Sequence, residues 1–302
     1  MSPEFKVPKD IITVVLPTLN EEKAVGNVIQ ELLNTGYRNI LVVDGHSTDR
    51  TVEIARSYGV EVIYQVGVGK ADAIKTAIEN VKTPYLVIMD CDGTYNPKDI
   101  ENILRAALEH NLDEVIGYRR DRKNIPFLNR VGNRLISSLL TILMGQRVRD
   151  PCSGMYLLKT DFAKKLEITA TGFDVEAEIV AQSLSLGKVA EIAIEYRKRI
   201  GISKLKSLKD GIRIILTMFK ITWLYSPIFL FSSIASILSI PGFIIIFWQL
   251  YERYLHGEKA FSWGWTLLGL TLLMIGLQAL TMTMIVLTLK RFERRLLKLR
   301  IL

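Results

Sequence analysis

Tyr85-Leu86-Val87-Ile88-Met89-Asp90-Cys91-Asp92-Gly93-Thr94-Tyr95-Asn96-Pro97 is the stretch on which the fold turns. Tyr85 to Met89 is a short apolar run rich in strand-favouring residues, bounded by Pro84 before it and by Gly93 and Pro97 after it. A run of this kind marks a strand buried on both faces of a parallel sheet. Two carboxylates, Asp90 and Asp92, follow with one residue between them. Side chains alternate faces along an extended backbone, so such a pair converges only where the strand ends. Oxygen ligands at that point suit a hard cation, Mg²⁺ or Mn²⁺, which shares its coordination with substrate phosphates. Ligands of open α/β sheets sit outside the carboxyl ends of the strands, where this pair falls.

Working outward, strands and helices alternate. Ile11–Leu16, Ile40–Val43, Val60–Tyr64 and Glu114–Gly117 read as strands. Between them, Val25, Val28, Ile29, Leu32 and Leu33 recur at helical spacing, and further helices are expected over Arg50–Tyr58, from Lys70 to Asn80, over Pro97–Glu109 and over Asn129–Met144. This alternation implies βαβ units in a mostly parallel sheet. Glu21, Asp44 and Asp90 each follow a strand, so a parallel sheet brings them to one edge. Gly67-Val68-Gly69-Lys70 lacks the spacing of a Walker loop and the third glycine of a dinucleotide fingerprint, so it reads as a turn that opens a helix. Arg119, Arg120, Arg122, Lys123 and Arg130 form a basic loop after the Glu114–Gly117 strand. Thr171-Gly172-Phe173-Asp174-Val175-Glu176 opens another helix with acids in its first turns, Glu191–Tyr196 reads as an edge strand, and Arg197–Lys204 as a flexible basic segment.

The C-terminal third has a different composition. Trp223–Leu250 and Thr266–Leu289 carry no charged residue, and each exceeds the ~20 residues that cross a bilayer core. Leu205–Lys220 is amphipathic and basic, as an interface helix is. Lys290-Arg291-x-x-Arg294-Arg295 follows the second span while the connector is poor in Lys and Arg, which places both ends of the chain in the cytoplasm. The expected organisation is a cytoplasmic α/β domain over residues 1–204, an interface helix over 205–221, and two membrane helices with a basic tail over 222–302. The net charge of +8 is grouped beside apolar segments, which favours anionic lipid and phosphate over nucleic acid. The N-terminus has no apolar h-region of a signal peptide, Cys91 and Cys152 make no disulfide framework, and the three histidines lack zinc-ligand spacing.

Six motifs fall in order: Pro17-Thr18-x-Asn20-Glu21, Asp44-x-x-Ser47-x-Asp49, Asp90-x-Asp92, Ile116-Gly117-x-Arg119, Asp150-x-x-Ser153-Gly154 and Arg199-x-Gly201-x-Ser203-Lys204. Together they resemble the polyprenyl-phosphate glycosyltransferases of glycosyltransferase family 2, the dolichol-phosphate mannose and glucose synthases, over about Ile11 to Lys209. The resemblance implies a GT-A nucleotide-sugar-binding fold. It also implies inverting transfer of one hexose, from GDP-mannose or a UDP-sugar to a polyprenyl or dolichyl phosphate, at the cell membrane. On that basis Pro17, Leu19, Glu21 and Asp44 line the nucleoside pocket, with Lys70 and Ser153 nearby. Asp90 and Asp92 hold Mg²⁺ or Mn²⁺, and Arg119, Arg130, Arg199 and Lys204 surround the phosphates. Two positions depart from the family pattern. Gly45 stands where a second Asp is common, and Gly93 stands where some mannose synthases carry a Gln metal ligand. Arg130-Val131-Gly132-Asn133 resembles the glucose-type branch.

Three other readings compete. A processive polysaccharide synthase resembles this chain in its donor fold, but the Gln-x-x-Arg-Trp motif of those enzymes is absent here. A membrane-anchored nucleotide-sugar sensor would bind without turnover. Transfer to a hydroxyl acceptor would need a general base, for which Glu176 or Asp174 is placed.

Overall fold

The apolar runs Ile12–Thr18, Ile40–Asp44 and Tyr85–Met89 become strands that are buried on both faces. In a computed structural model the described residues are 7–172, 174–201, 227–257 and 262–299. The chain divides into two compact units, Met1–Phe219 and Lys220–Leu302.

The first unit is built on β1 (Ile12–Thr18), β2 (Ile40–Asp44), β3 (Glu61–Tyr64), β4 (Tyr85–Met89), β5 (Glu114–Arg119), β6 (Met155–Lys159) and β7 (Val189–Ile194). These form one sheet in the order β3-β2-β1-β4-β6-β5-β7. All pairings are parallel except those of β6, which runs antiparallel to both β4 and β5. Strand alternation sorts the core into two layers. Val14, Leu16, Val87 and Met89 meet α1 (Val25–Asn34) and α4 (Asp99–His110) on one face. Val15, Leu86, Ile88 and Tyr156 meet α3 (Lys70–Asn80) and α7 (Val175–Leu186) on the other. The remaining helices of this unit are α2 (Thr51–Ser57), α5 (Phe127–Met144) and α6 (Thr160–Ala163).

The edge strand runs Val189–Ile194 instead of the expected Glu191–Tyr196, because Tyr196 leaves the sheet to bridge Tyr95. Chain order reverses between β1 and β4, where a doubly wound sheet opens its ligand crevice. Thr18 pairs with Asp44, so β1 and β2 end level with each other beside that crevice.

The second unit is a pair of helices, α8 (Pro227–His256) and α9 (Trp263–Leu299). Leu230–His256 and Trp263–Leu289 are each 27 residues long and apolar, with few of their side chains buried, unlike the core helices of a soluble domain. At 1.5 Å per residue each reaches about 40 Å, enough to cross a bilayer. The helices pack through small residues. A Cβ on Gly242 would lie 2.8 Å from the Gly269 carbonyl oxygen, and one on Gly276 would lie 3.0 Å from the Ser239 backbone nitrogen. Helix α8 continues past the expected Leu250 and stops where Gly257 takes a positive φ of 77°. Helix α9 runs on through Lys290-Arg291 and Arg294-Arg295. Residues 202–226, which include Lys204, the 205–221 interface helix and Trp223, lie outside the described residues.

Candidate active site

Two loops form the floor of the crevice and are laced by short polar bonds. The Asn20 side-chain oxygen accepts from the Thr48 amide at 2.7 Å, the Asn20 amide donates to Ser47 Oγ at 2.8 Å, and the Glu21 amide donates to Thr51 Oγ1 at 2.7 Å. Asp44 is fully buried within this lacing. Its carboxylate accepts from Ser47 Oγ at 2.6 Å, the Ser47 amide at 2.8 Å and Thr18 Oγ1 at 3.2 Å. It thus braces the turn after β2. Pro17 and Leu19 line the same edge, Leu19 with its side chain substantially exposed.

The acid pair stands at the end of β4. Asp90 donates its amide to the Gly154 carbonyl, which ties the motif to the start of β6. A Cβ on residue 154 would collide with the Asp90 carboxylate, so the Ser153-Gly154 motif clears the space in which that carboxylate lies. Asp92 spends one oxygen on its own turn, accepting from Thr94 Oγ1 at 2.5 Å and the Thr94 amide at 3.0 Å. Gly93 between them has a φ of +76°, and a Cβ there would lie 2.8 Å from Ile200 Cδ1. The left-handed backbone favours glycine here, and a longer side chain would press on Ile200.

Each acid is held by a cation. Lys70, the first residue of α3, places Nζ 2.5 Å from Asp90 and 2.5 Å from Glu176. Arg199 spans Asp92 and Glu21, with Nη1 and Nη2 each at 2.9 Å. Arg199 is fixed from behind by backbone pairing, since the Arg197 amide donates to the Thr94 carbonyl and the Ile200 amide to the Asp92 carbonyl. Arg197 itself reaches Glu31 at 2.9 Å. The segment expected to be flexible is therefore pinned, as far as Gly201, across the acid pair.

The electrostatics follow from this count. Asp90, Asp92, Glu21 and Glu176 face Lys70 and Arg199, four formal negative charges against two positive, which leaves −2 in a poorly hydrated cluster. Burial and then the neighbouring Asp90 push Asp92 above the ordinary carboxylate range, as a site short of positive charge would. Burial would lower Lys70, but Asp90 and Glu176 hold it well above the ordinary lysine value. Burial pushes Glu176 up, against the pull of Lys70. Arg199 Nε is buried without an acceptor among the described residues, a donor in want of an oxyanion. Among them, no three carboxylate, imidazole or thiol side chains form a self-sufficient cage for a metal. Two oxygen ligands, a formal deficit of two charges and a spare donor fit a divalent cation that completes its shell with a diphosphate.

Three other expected site residues lie outside the acid cluster. Arg119 is buried, and its Nε and Nη2 grip Asp150 at 2.7 and 2.6 Å while its guanidinium lies 5.2 Å from the Tyr196 ring centroid. That bidentate pair ties it to Asp150 beneath the site. Ser153 is likewise buried and donates to the Gly117 carbonyl at 2.5 Å, a brace between β5 and β6. Arg130 is exposed in the first turn of α5, 5.9 Å from the Phe127 ring centroid, and does not join the acid cluster. Glu176 is the member of the acid cluster that sequence reasoning underrated. The available signal was the run Val175-Glu176-Ala177-Glu178-Ile179-Val180-Ala181, apolar on every side of a helix, where buried acids must be paired.

The fold has known counterparts. Glucosyl-3-phosphoglycerate synthase from Mycobacterium tuberculosis, solved with Mn²⁺, uridine-diphosphate-glucose and phosphoglyceric acid, superposes with a TM-score of 0.58. That match is at 22% identity over 70% of this chain and 79% of that one. At that identity the likeness establishes the GT-A architecture. Closer in sequence are two proteins of Haloferax volcanii. Glycosyltransferase AglJ is 32% identical over 88% of this chain and 92% of its own length, and a dolichyl-phosphate hexose transferase is 34% identical over 67% and 90%. A dodecaprenyl-phosphate galacturonate synthase of Rhizobium johnstonii is 23% identical over 89% and 85%. Residues 13–166, from β1 to just past α6, match the description "Glycosyl transferase family 2". With its sheet order, its acid pair and these relatives in place, the chain belongs to glycosyltransferase family 2.

Proposed function

We propose that this chain transfers one hexose, with inversion, from a nucleotide sugar to a polyprenyl phosphate held in the membrane. The donor is of the UDP-sugar or GDP-mannose type, and the product is a lipid-linked sugar for later glycosylation. The observation that carries the reading is the Asp90/Asp92 pair at the crevice, each acid engaged by a cationic side chain. The chain's two long apolar helices and the two relatives named for dolichyl- and dodecaprenyl-phosphate chemistry supply the acceptor class.

Asp90 and Asp92 would hold Mg²⁺ or Mn²⁺, which offsets the charge developing on the leaving diphosphate. Lys70 and Arg199 bind the carboxylates through donors that a diphosphate would use equally well, and the unpaired Arg199 Nε adds one more. Both side chains therefore change partners when the donor enters. A phosphate acceptor is already anionic at neutral pH, so no proton has to leave before its oxygen attacks the anomeric carbon. A hydroxyl acceptor would need a base, whereas Glu176 is tied to Lys70. Cytoplasmic placement of the catalytic unit and of the basic end of α9 follows the charge asymmetry around the two spans. Lys204 and Arg130 remain candidates for the acceptor phosphate.

The test is transfer by the purified protein in detergent, with Mg²⁺ or Mn²⁺, a polyprenyl phosphate, and GDP-mannose, UDP-glucose or UDP-N-acetylglucosamine offered separately. The expected result is a lipid heavier by one sugar residue with one donor, and its loss in Asp92→Ala while the protein stays folded. Near-normal turnover by that variant would overturn the metal assignment. Nucleotide-sugar binding without product from any donor would overturn the choice of acceptor.

A further inference from the structure

Glu176 is a buried acid that the transfer chemistry does not require. It lies in the first turn of α7, within nine consecutive buried residues from Val175 to Ser183, and its side chain is 5% exposed. Burying a carboxylate costs several kcal/mol of desolvation, which an ion pair repays only with good geometry. A buried pair is therefore a weak device for stability, and its retention beside a reacting centre calls for another reason.

The geometry supplies one. The loop before α3 packs directly on the segment before α7, since a Cβ on Gly69 would lie 2.5 Å from the Thr171 carbonyl oxygen. The first turns of the two helices are thus brought together, and Lys70 Nζ sits 2.5 Å from Glu176 and 2.5 Å from Asp90. The two partners are unlike. Asp90 is 30% exposed at the mouth of the crevice beside Asp92, whereas Glu176 is 5% exposed within the buried first turn of α7. A lysine ammonium has three donors, so it keeps Glu176 with one while the others change partners. Without Glu176, the ammonium would have Asp90 alone and would compete with a cation for that carboxylate.

We propose that Glu176 is the positioning residue that anchors Lys70 when Asp90 turns to the cation, so that Lys70 is delivered to the donor diphosphate. The proposal rests on the nucleotide-sugar reading above. Glu176 is the fixed partner and Asp90 the exchangeable one.

Equilibrium binding of UDP and of GDP, each with Mn²⁺, to the full-length protein in detergent tests this without recourse to turnover. Glu176→Gln keeps the shape and removes the charge, and it is expected to weaken nucleotide binding about tenfold. Glu176→Asp keeps the charge and is expected to stay within about threefold of the parent. In a Lys70→Met background, Glu176→Gln is expected to change binding by less than about twofold, because the residue it acts through is gone. Parent-like binding by Glu176→Gln, or equal losses in Glu176→Gln and Glu176→Asp, would overturn the proposal. So would an undiminished effect of Glu176→Gln in the Lys70→Met background. If Lys70→Met does not fold, the contrast between the Gln and Asp variants decides alone. If the parent protein binds neither nucleotide with Mn²⁺, the nucleotide-sugar reading falls and this proposal falls with it.

Discussion

Replacing Glu114 by Gln is expected to stabilise the catalytic unit, by an amount that grows with pH. Glu114 opens β5, is fully buried, and neither carboxylate oxygen has a hydrogen-bond partner among the described residues. The Ser183 hydroxyl on α7 favours the ionised form without completing a hydrogen bond, and Glu191 on the adjoining β7 opposes it. Burial dominates and pushes Glu114 from 4.5 up to about 8. In the unfolded chain this acid loses its proton above about pH 4.5, while in the fold it keeps the proton until about pH 8. The unfolded state thus binds fewer protons between those values, and stability falls as pH rises through that window before levelling off. At about 1.4 kcal/mol per pH unit, the cost is near zero at pH 4, about 3 kcal/mol at pH 7 and about 4 kcal/mol at pH 8. Gln cannot ionise and escapes this cost. For a domain of this size the gain corresponds to roughly 10 °C in melting temperature at pH 8. Melting curves of parent and variant in one detergent from pH 5 to pH 9 provide the assay. A melting-temperature difference that does not change with pH, or a variant less stable throughout, would refute the reasoning.

Gly93→Gln adds an amide side chain beside the acid pair, yet it is expected to lower the melting temperature and reduce metal-supported nucleotide binding. The residue must hold a φ of +76° and would press on Ile200, at a cost of about 1–2 kcal/mol or more. Unchanged melting with tighter Mn²⁺ binding would count against this account. In the membrane unit, Gly276→Leu is expected to force α8 and α9 apart and cost about 2 kcal/mol, seen as lower thermal stability or aggregation in detergent. Gly264→Leu at the start of α9, where a Cβ would meet only Ser262 Oγ at 3.9 Å, is expected to be tolerated.

Much of the fold was legible because its signals are local. Ile12–Leu16, Ile40–Val43 and Tyr85–Met89 are apolar without alternation, and the structure buries both of their faces. The acids after β1, β2 and β4 share an edge because those strands are parallel and adjacent. Partnership was not legible in the same way. Arg119 and Asp150 stand in two recognisable motifs, but their mutual grip depends on β6 folding back between β4 and β5, which no local periodicity announces. Asp44 likewise satisfies the motif while spending its carboxylate on Ser47 and Thr18. Acids in the first turn of α7 read as ordinary helix-end charges, and only the density of apolar neighbours showed that they had to be buried.

The reversed strand β6 also sets the order in which the enzyme comes into being. On a growing chain, β1 to β4 and their helices are complete before residue 110, so half of the sheet can form early. Asp90 and Asp92 then have Lys70 and Thr94 beside them, while Gly154, Glu176 and Arg199 have still to be made. At roughly 5–20 residues per second, several seconds separate the acids from the last of those supports. Until β6 is made, β4 presents an open edge, since the strand that covers it follows β5 in the chain. The nascent domain thus exposes a pairing edge beside its most charged loop. Closure of that edge comes first, and completion of the acid cluster by Glu176 and Arg199 follows it.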